Sequence, residues 1–347
     1  MPAVATPADH SKPTINDVAA RAGVSKKTVS RVINGSEGIR GPMREKVQAA
    51  ILELGFVPNP QARALALRRK FLIVLFHDNP NAQTVLNFQN GVLQAIKNTD
   101  FALVVRPVER TSENILEDVQ DFLERQRPWG AMLLPPISER DDLAKLLREQ
   151  GVRYVRVGSA ILDTPEHCVA SNDQQVVEFA VSQLIARGHR DIAFVRGPSG
   201  FRSAQERESG FLSAIRNAKL ALPDERRAEG NYRFESGVLA GQQLLDRSNR
   251  PTAIFASNDE MAAGVIHSAR VLGIDVPEEL SIIGFDDSPT ASHLWPPLTT
   301  VRWPIYEMGQ LAAQKLLPEF LSNVDSKKLP VTLESTLIER ASIRTIA

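Results

Sequence analysis

The sequence contains a single cysteine, Cys168, and no hydrophobic run long enough to cross a bilayer. One cysteine cannot form an intramolecular disulfide, which excludes a disulfide-stapled fold and favours a reducing compartment. The longest aliphatic run, residues 71–76, is far shorter than the roughly 20 residues that span a membrane. The first 14 residues lack the apolar core of a secretion signal. We therefore expect a cytoplasmic protein that does not enter a membrane.

The motifs of enzymes and of metal sites are also missing. The six histidines are scattered along the chain without the short spacing of metal ligands. Residues 197–200 do not form a G-x-S-x-G nucleophile elbow, and neither a P-loop nor a G-x-G-x-x-G motif follows a predicted strand. Asp286 and Asp287 are adjacent, whereas a general acid and base come from separate elements. We expect no catalysis, no cofactor and no metal.

The length of 347 residues and the ordinary composition, 43% hydrophobic and 24% charged, predict a globular protein of two or three domains. The net charge of zero conceals an asymmetry. Residues 1–70 contain 12 basic and five acidic side chains, a net charge of +7, which leaves 29 basic and 36 acidic side chains, a net charge of −7, in the remainder. This predicts a basic module for nucleic acid joined to an acidic body. The alternative is a chance distribution of charge on solvated faces.

Residues 14–58 have the pattern of three short helices around one small core. Thr14 is placed to cap the first helix together with Asp17, Gly23 ends that helix, Ser25 caps the second and Pro42 starts the third. The apolar residues recur at helical spacing, at Ile15, Val18, Ala19, Ala22, Val29, Val32, Ile33, Val47, Ala50, Ile51 and Leu54. Two short helices that meet across a tight turn are typical of a helix-turn-helix DNA-binding headpiece.

The second of these helices has a polar face suited to a major groove. Lysine and arginine bind either guanine edges or phosphates, so composition alone leaves base reading and backbone anchoring open. We favour Arg31 as the residue that binds a base edge or a phosphate. The alternative is a three-helix bundle whose basic face is merely solvated. The candidate DNA contacts are Thr14, Ser25, Lys26, Lys27, Thr28, Ser30, Arg31 and Asn34.

Residues 59–70 predict a short hinge helix, and residues 1–13 a disordered lead. Asn59 is a suitable cap and Pro60 a suitable first helical residue. A helix of about eight residues is marginal alone in water, so we expect it to form only against a second copy of the chain and DNA. Leu65 is the candidate wedge for a minor groove. The alternative is a linker helix whose Leu65 and Leu67 pack on the body.

These segments resemble a known family. The runs TINDVAARAGVSKKTVSRVINGS and REKVQAAILELGFVPNPQARAL closely resemble the LacI/GalR family of bacterial transcription regulators, and the resemblance extends nearly to the end of the chain. It implies base contacts for Lys26, Lys27 and Arg31. It also implies minor-groove contacts for Ala62 and Leu65, with Leu65 intercalating. The adjacent lysines depart from the small or amide residues often found at their positions.

Beyond residue 70, short apolar runs alternate with helical stretches. This pattern predicts parallel sheets with right-handed crossovers, and about 275 residues of it suggest two similar α/β lobes. The lobes resemble periplasmic sugar-binding proteins, as the family's cores do. The predicted strands are 72–76, 102–105, 131–134, 154–157, 192–195, 253–256 and 281–285.

Ligands of such sheets bind beyond the carboxyl ends of the strands. Polar residues at these ends suit a polyhydroxylated ligand, and aromatic residues can stack on a sugar ring. The resemblance implies effector contacts for Arg207 in SAQERESGF, Asn258 in FASND and Asp286 in GFDD, and favours Tyr232. The candidate effector residues are Asp78, Asn81, Arg207, Tyr232, Asn258, Asp286 and Trp303.

Several neighbouring residues have a second interpretation. Asp259 and Asp287 are more typical of helix or loop caps than of ligand contacts. Arg156, a charge within an apolar run, suits either a pocket or a solvent-facing edge strand. Trp303 suits packing as well as ligand stacking.

Together these patterns predict a homodimeric, sugar-responsive repressor of carbohydrate uptake or catabolism genes that binds a near-palindromic operator. The expected organisation is a lead (1–13), a headpiece (14–58), a hinge helix (59–70) and a two-lobed effector and dimerisation domain (71–347). One alternative is a nucleobase or nucleoside effector. Another is a solute-binding protein that does not bind DNA, which would require export and no headpiece.

Overall fold

The computed structural model describes residues 13–33, 39, 41–57, 71–321, 324–325 and 328–346. These residues fall into two compact units, one before residue 72 and one from Leu72 onward. The predictions for Asn34, Asn59, Ala62 and Leu65 lie outside the described residues, as does nearly all of the predicted lead and hinge.

The described residues of the first unit form three helices, α1 (Ile15–Ala22), α2 (Lys26–Ile33) and α3 (Gly41–Leu54). Thr14 and Asp17 form the predicted capping box of α1, and Gly23 ends that helix with a φ of 62°. Helix α3 begins one residue before the predicted Pro42. One fully buried valine from each helix meets in the core, at Val18, Val29 and Val47. The predicted arrangement of this unit is therefore confirmed.

In the second unit, the described residues form two six-stranded sheets. The strands are β1 (Leu72–His77), β2 (Ala102–Pro107), β3 (Gly130–Leu133), β4 (Arg153–Gly158), β5 (Cys168–Ser171), β6 (Ile192–Arg196), β7 (Arg227–Glu229), β8 (Ala253–Ala256), β9 (Ser281–Asp286), β10 (Thr299–Arg302), β11 (Thr332–Leu333) and β12 (Thr336–Ile338). Their orders are β11-β5-β4-β3-β1-β2 and β12-β10-β9-β8-β6-β7. All pairs are parallel except β10 with β12.

Helices cover both sheets, as expected where each parallel strand is followed by a crossover. They are α4 (Ala82–Ile96), α5 (Ile115–Gln126), α6 (Asp141–Glu149), α7 (Asp173–Ala186), α8 (Arg202–Asn217), α9 (Phe234–Leu245), α10 (Asp259–Val271), α11 (Pro289–His293) and α12 (Ile305–Leu316). Helices α4 and α12 pack so closely that a Cβ atom at Gly91 would lie 2.0 Å from the Tyr306 carbonyl oxygen. Glycine is therefore required at that crossing.

Each sheet with its helices forms one lobe, and the chain crosses between the lobes three times: after β5, after β10 and between β11 and β12. Hydrogen bonds fasten these crossings. The Trp303 indole N–H donates to Ser171 Oγ at 2.9 Å, and the Ser335 N–H donates to Asn172 Oδ1 at 2.8 Å. The predicted pair of α/β lobes is confirmed, and its three connections lie close together.

No helix in the described ranges is both long and apolar enough to span a membrane.

Candidate functional site

Helix α2 presents its cations to solvent. Lys26, Lys27 and Arg31 are exposed, whereas Thr28 and Ser30 are half-buried. Arg21, on α1, forms a 2.6 Å ion pair with Glu53 of α3. Lys26, Lys27 and Arg31 thus form an exposed basic face, as the helical pattern predicted.

Two of the predicted DNA contacts act first as helix caps. The Thr14 hydroxyl and backbone N–H both donate to Asp17 Oδ2 at 2.7 Å, and these bonds lower the pKa of the Asp17 carboxyl. Ser25 Oγ accepts from the Thr28 N–H at 3.1 Å and lies 2.9 Å from Thr28 Oγ1. The first pair of bonds fixes the start of α1, and the bonds of Ser25 fix the start of α2.

A small cavity of about 40 Å³ lies between the two lobes, beyond the carboxyl ends of their strands. Six of the seven predicted effector residues line it; Asp78 does not. The remaining lining residues were not among those candidates. The cavity is lined by Asn79, Pro80, Asn81, Thr84, Pro135, Ser159, Phe201, Ser203, Arg207, Tyr232, Asn258, Asp286 and Trp303.

Arg207 is the most enclosed charge of this cavity, with only 3% of its surface exposed. Its Nε donates to Asp173 Oδ2 at 2.9 Å, and its Nη1 donates to the Ser257 carbonyl at 2.6 Å. The Phe285 ring covers the guanidinium, with its centroid 3.5 Å from Cζ. Burial opposes the charge, but Asp173 and the other nearby acidic groups raise the pKa of Arg207. The side chain is therefore a fixed, charged donor.

Asp286 faces Arg207 from the end of β9, with Oδ1 3.9 Å from Nη1. Its φ of 115° is unusual for a residue other than glycine. Burial raises the pKa of the Asp286 carboxyl well above its ordinary value; Arg207 lowers it, and Asp259 and Asp173 raise it further. Oδ2 also accepts a long, 3.5 Å hydrogen bond from Asn81 in the other lobe. A strained backbone at a cavity wall is typical of a binding site.

Tyr232 and Asn258 stabilise one another at the cavity wall. The Asn258 Nδ2 donates to the Tyr232 carbonyl at 2.9 Å, and its Oδ1 accepts from the Met261 N–H to cap α10. The Tyr232 hydroxyl lies 3.1 Å from Ser203 Oγ, and burial raises its pKa. A Cβ atom at Gly197 would lie 2.5 Å from the Tyr232 ring, so glycine makes room for the phenol there.

Trp303 is buried and also lines the cavity, so its packing role is confirmed and its stacking on a ligand stays a prediction. The Ser171 Oγ that accepts from its indole donates to Asp173 Oδ1 at 2.5 Å. Asp173 also binds Arg207. Trp303, Ser171, Asp173 and Arg207 thus form one continuous network across the interlobe crossings.

Asp78 lies elsewhere, although the end of β1 does reach the cavity. Its carboxylate accepts from the Arg110 N–H at 3.0 Å and fixes the loop after β2. The neighbouring Asn79 donates to the Pro135 carbonyl at 2.9 Å and accepts from the Asn81 N–H at 2.9 Å. Asn81 in turn caps α4 through Gln83 and Thr84. The turn after β1 therefore places Asn79 and Asn81, but not Asp78, at the wall of the cavity.

Some lining residues were missed or left out of the prediction. Phe201 and Ser203 lie in the loop and first turn between β6 and Arg207, and their position after a strand end could have indicated them. Ser159 follows β4, is 5% exposed, and its buried Oγ has no hydrogen-bond partner among the described residues. Thr84 and Pro80 carry no comparable signal in the sequence.

The residues with a second interpretation have structural roles. Asp259 accepts from the Ser288 N–H at 2.7 Å and from Thr300 Oγ1 at 2.5 Å. Asp287 accepts from Arg302 and Arg340. Arg156 fits neither expectation: it is 3% exposed, does not line the cavity and donates to the Ser138 and Leu162 carbonyls at 2.7 and 2.9 Å.

The two lobes also meet at the rim of the cavity. The Arg110 guanidinium of the first lobe donates to the Gly200 carbonyl of the second at 3.0 Å and stacks on Phe201. Glu139 of the first lobe accepts from the Arg202 N–H at 3.0 Å. Burial raises the pKa of the Glu139 carboxyl, while the bond from Arg202 opposes the rise. These contacts hold the lobes against each other.

Acidic, histidine and cysteine side chains do not assemble into a metal-binding group anywhere in the portion of the chain that the structure describes.

Two family descriptions match the sequence. "Bacterial regulatory proteins, lacI family" matches residues 14–59, and "Periplasmic binding protein-like domain" matches residues 181–343. The "Probable HTH-type transcriptional repressor ExuR" of Bacillus subtilis (strain 168) is 33% identical over 335 residues, which cover 95% of this chain and 98% of that protein.

Solved structures give the same result at the level of the fold. The structure described as "transcriptional regulator CelR-cellobiose complex" is 33% identical, covers 95% of this chain and 99% of its own, and has a TM-score of 0.68. The lac repressor dimer bound to operator and an anti-inducer is 26% identical, covers 96% and 100%, and has a TM-score of 0.76.

Proposed function

Because the chain belongs to the lacI family of bacterial regulatory proteins, we propose that it is a transcriptional repressor whose operator affinity is controlled by a sugar bound between its lobes. The observation that carries this proposal is the convergence of Asn81, Arg207, Asp286 and Trp303 from both lobes on one cavity. Fixed polar groups beside aromatic rings are what a polyhydroxylated ring requires.

The headpiece binds DNA through α2. Lys26, Lys27 and Arg31 supply the charge that reaches base edges or phosphates. The hydroxyls of Thr14, Ser25, Thr28 and Ser30 are proposed to bind phosphates beside it. We extend the proposal to Asn34, Asn59, Ala62 and Leu65, with Leu65 entering the minor groove.

The cleft binds the effector through groups of both lobes. Arg207 donates to a ring hydroxyl through Nη2, which makes no hydrogen bond within residues 71–321. Asp286, Asn81 and Ser159 serve neighbouring hydroxyls, while Trp303 contacts the apolar face of the ring. In this scheme Asn258 and Tyr232 chiefly shape the wall, and Asp78 acts through the loop that it fixes.

A volume of about 40 Å³ accommodates a few water molecules but not a sugar ring. Entry of the effector therefore requires the lobes or the lining side chains to move apart. Such a movement changes the relative positions of the three chain crossings between the lobes. In a dimer it also changes the distance between the two headpieces. Binding in the cleft is thereby coupled to binding of DNA.

The complete arrangement that we propose is a cytoplasmic homodimer on a near-palindromic operator near carbohydrate uptake or catabolism genes. Its parts are the lead (1–13), headpiece (14–58), hinge helix (59–70) and two-lobed domain (71–347). The operator-bound dimer of the lac repressor supports this assembly.

The test begins with operator selection from random double-stranded oligonucleotides by the purified chain. Thermal unfolding is then measured with panels of sugars, nucleobases and nucleosides, because a ligand selective for the native state raises the melting temperature. We expect one enriched, near-palindromic sequence and stabilisation by a sugar. Stabilisation by nucleobases alone would show that the effector is a nucleobase and not a sugar. Failure to enrich any sequence would contradict the repressor assignment.

A further inference from the structure

We propose that the cleft selects an uncharged sugar or glycoside and rejects the uronic acid or sugar phosphate of the same stereochemistry. This inference rests on the sugar-sensing function proposed above and specifies the chemical class of its effector. It follows from the charges of the cleft and from the way in which its one cation is already bound.

Among the described residues that line the cleft, only Arg207 and Asp286 are charged. A third charge, Asp173, lies directly behind them with no exposed surface. The group therefore consists of one guanidinium between two carboxyls, at 2.9 Å from Asp173 and 3.9 Å from Asp286. No net positive charge is available in this group to balance an anionic effector.

The geometry of Arg207 leads to the same conclusion. A guanidinium binds carboxylate or phosphate best through two adjacent nitrogen donors. Every such pair of donors includes Nε or Nη1, and these atoms already donate to Asp173 and to the Ser257 carbonyl. A ligand carboxylate would have to share a donor atom with one of them. A single hydroxyl needs only Nη2.

Asp286 would oppose an anion directly. A ligand group that contacts Arg207 from the cleft lies within a few ångströms of the Asp286 carboxyl, which in its ionised form repels an anion. Burial together with Asp259 and Asp173 raises the pKa of Asp286, in spite of Arg207. In its protonated form the carboxyl donates to a hydroxyl group, and the Arg207–Asp173 pair still leaves no net positive charge to balance an anion.

The cations at the rim do not alter this balance. Arg110 lies outside the lining, where it is held by the Gly200 carbonyl and the Phe201 ring and is attracted by Glu139. Arg202 forms a 2.8 Å ion pair with Glu206. Each rim arginine thus has an acidic residue beside it.

The experiment is isothermal titration of the full-length chain with matched ligands. Each of the probes glucose, galactose and cellobiose is compared with the uronic acid and the phosphate ester of the same sugar, at constant ionic strength and pH 7.5. For whichever of these sugars binds, we expect the neutral sugar to bind at least a hundredfold more tightly than its uronic acid or its phosphate ester.

A second measurement tests whether Asp286 causes the preference for the neutral sugar. Asp286→Asn replaces the ionisable carboxyl with a neutral amide of the same shape, and it suits the positive φ because asparagine tolerates that region. It should reduce the ratio of neutral to anionic affinity at least tenfold, even if it weakens both. Asp224→Asn is the control, since Asp224 is an exposed carboxylate of the same lobe outside the lining.

The outcomes are separable. Tighter binding of an acid or phosphate than of its neutral partner overturns this inference and leaves the sugar-sensing function intact. Binding of nucleobases without any sugar overturns both. A large ratio that Asp286→Asn leaves unchanged overturns the part assigned to Asp286.

Discussion

Arg207 has a structural role in addition to the binding role that we propose for it. It neutralises the fully buried Asp173, holds the Ser257 carbonyl and lies under the Phe285 ring. Removing one partner of a buried ion pair leaves the other charge uncompensated, which typically costs about 3 to 5 kcal/mol. Any test of the binding role has to separate it from this cost.

We expect Arg207→Ala to lower the free energy of unfolding and to abolish the response to effector. The double variant Arg207→Ala with Asp173→Asn should regain much of the stability, because no unpaired charge remains, but it should not regain effector binding. Calorimetry of both variants checks this.

Arg216→Ala is the matched control, since Arg216 lies exposed on the same helix α8. Recovery of effector affinity in the double variant would show that Arg207 acts only through folding.

Asp259 gives the molecule a predictable response to pH. Burial raises the pKa of its carboxyl from 3.8 to about 7, against the hydrogen bonds from Thr300 and Ser288. The folded state therefore retains a proton that the unfolded chain releases, and stability falls as the pH rises from about 4 to about 7. At about 1.4 kcal/mol per pKa unit, the loss is at most about 4 kcal/mol.

Asp259→Asn removes this pH dependence of stability, although the variant also loses one hydrogen-bond acceptor at every pH. The free energy of unfolding of the variant, relative to the wild-type protein, should therefore rise between pH 5 and pH 8. Urea denaturation across this range measures the difference. A difference that is constant with pH would contradict the buried titration.

The sequence predicted residue types at the cleft better than it predicted their roles. Strand ends and motifs led to Asn81, Arg207 and Asp286, because carboxyl ends of parallel strands converge. Asn258 was predicted as an effector contact, and its described bonds cap α10 and hold Tyr232. Asp173 was missed, since a buried partner of an arginine has no mark in the sequence.

Among the elements, α2 determines which charges face outward. Its capping by Ser25 and the burial of Val29 and Val32 fix its rotation, so that Lys27 and Arg31 project to solvent. A base contact through such a side chain is typically worth about 1 to 3 kcal/mol.

Arg31→Ala should therefore weaken operator binding about tenfold to hundredfold while leaving effector affinity unchanged. Fluorescence anisotropy on the selected operator and on a scrambled duplex measures the loss. Arg125→Ala, an exposed arginine on α5, removes the same charge as a control. Equal operator affinity in the two variants would contradict the placement of α2 in the groove.

The elements most accurately predicted are those with long, regular patterns. Seven strands appear within two residues of their predicted bounds, and helices α1 to α3 begin within one residue of their predicted starts. The strands β5, β7, β10, β11 and β12 were missed. They have two to four residues each, so the sequence pattern within them is weak, and their pairing depends on distant segments.

At the scale of the whole molecule, the central feature is a pair of lobes joined by three adjacent crossings. Contacts on both sides of the cavity hold them together, including Arg110 with Gly200, Glu139 with Arg202 and Asn81 with Asp286. A ligand that alters these contacts changes the equilibrium between lobe arrangements only as far as its affinities for them differ. Typical couplings of this kind are about 1 to 3 kcal/mol.

The most direct test of the account is the affinity of the full-length chain for its effector, measured with and without saturating operator. Because coupling is reciprocal, operator should change the effector affinity about fivefold or more, and effector should change the operator affinity by the same factor. Identical effector affinities for the free and the operator-bound protein would contradict the claim that the cleft controls the headpiece.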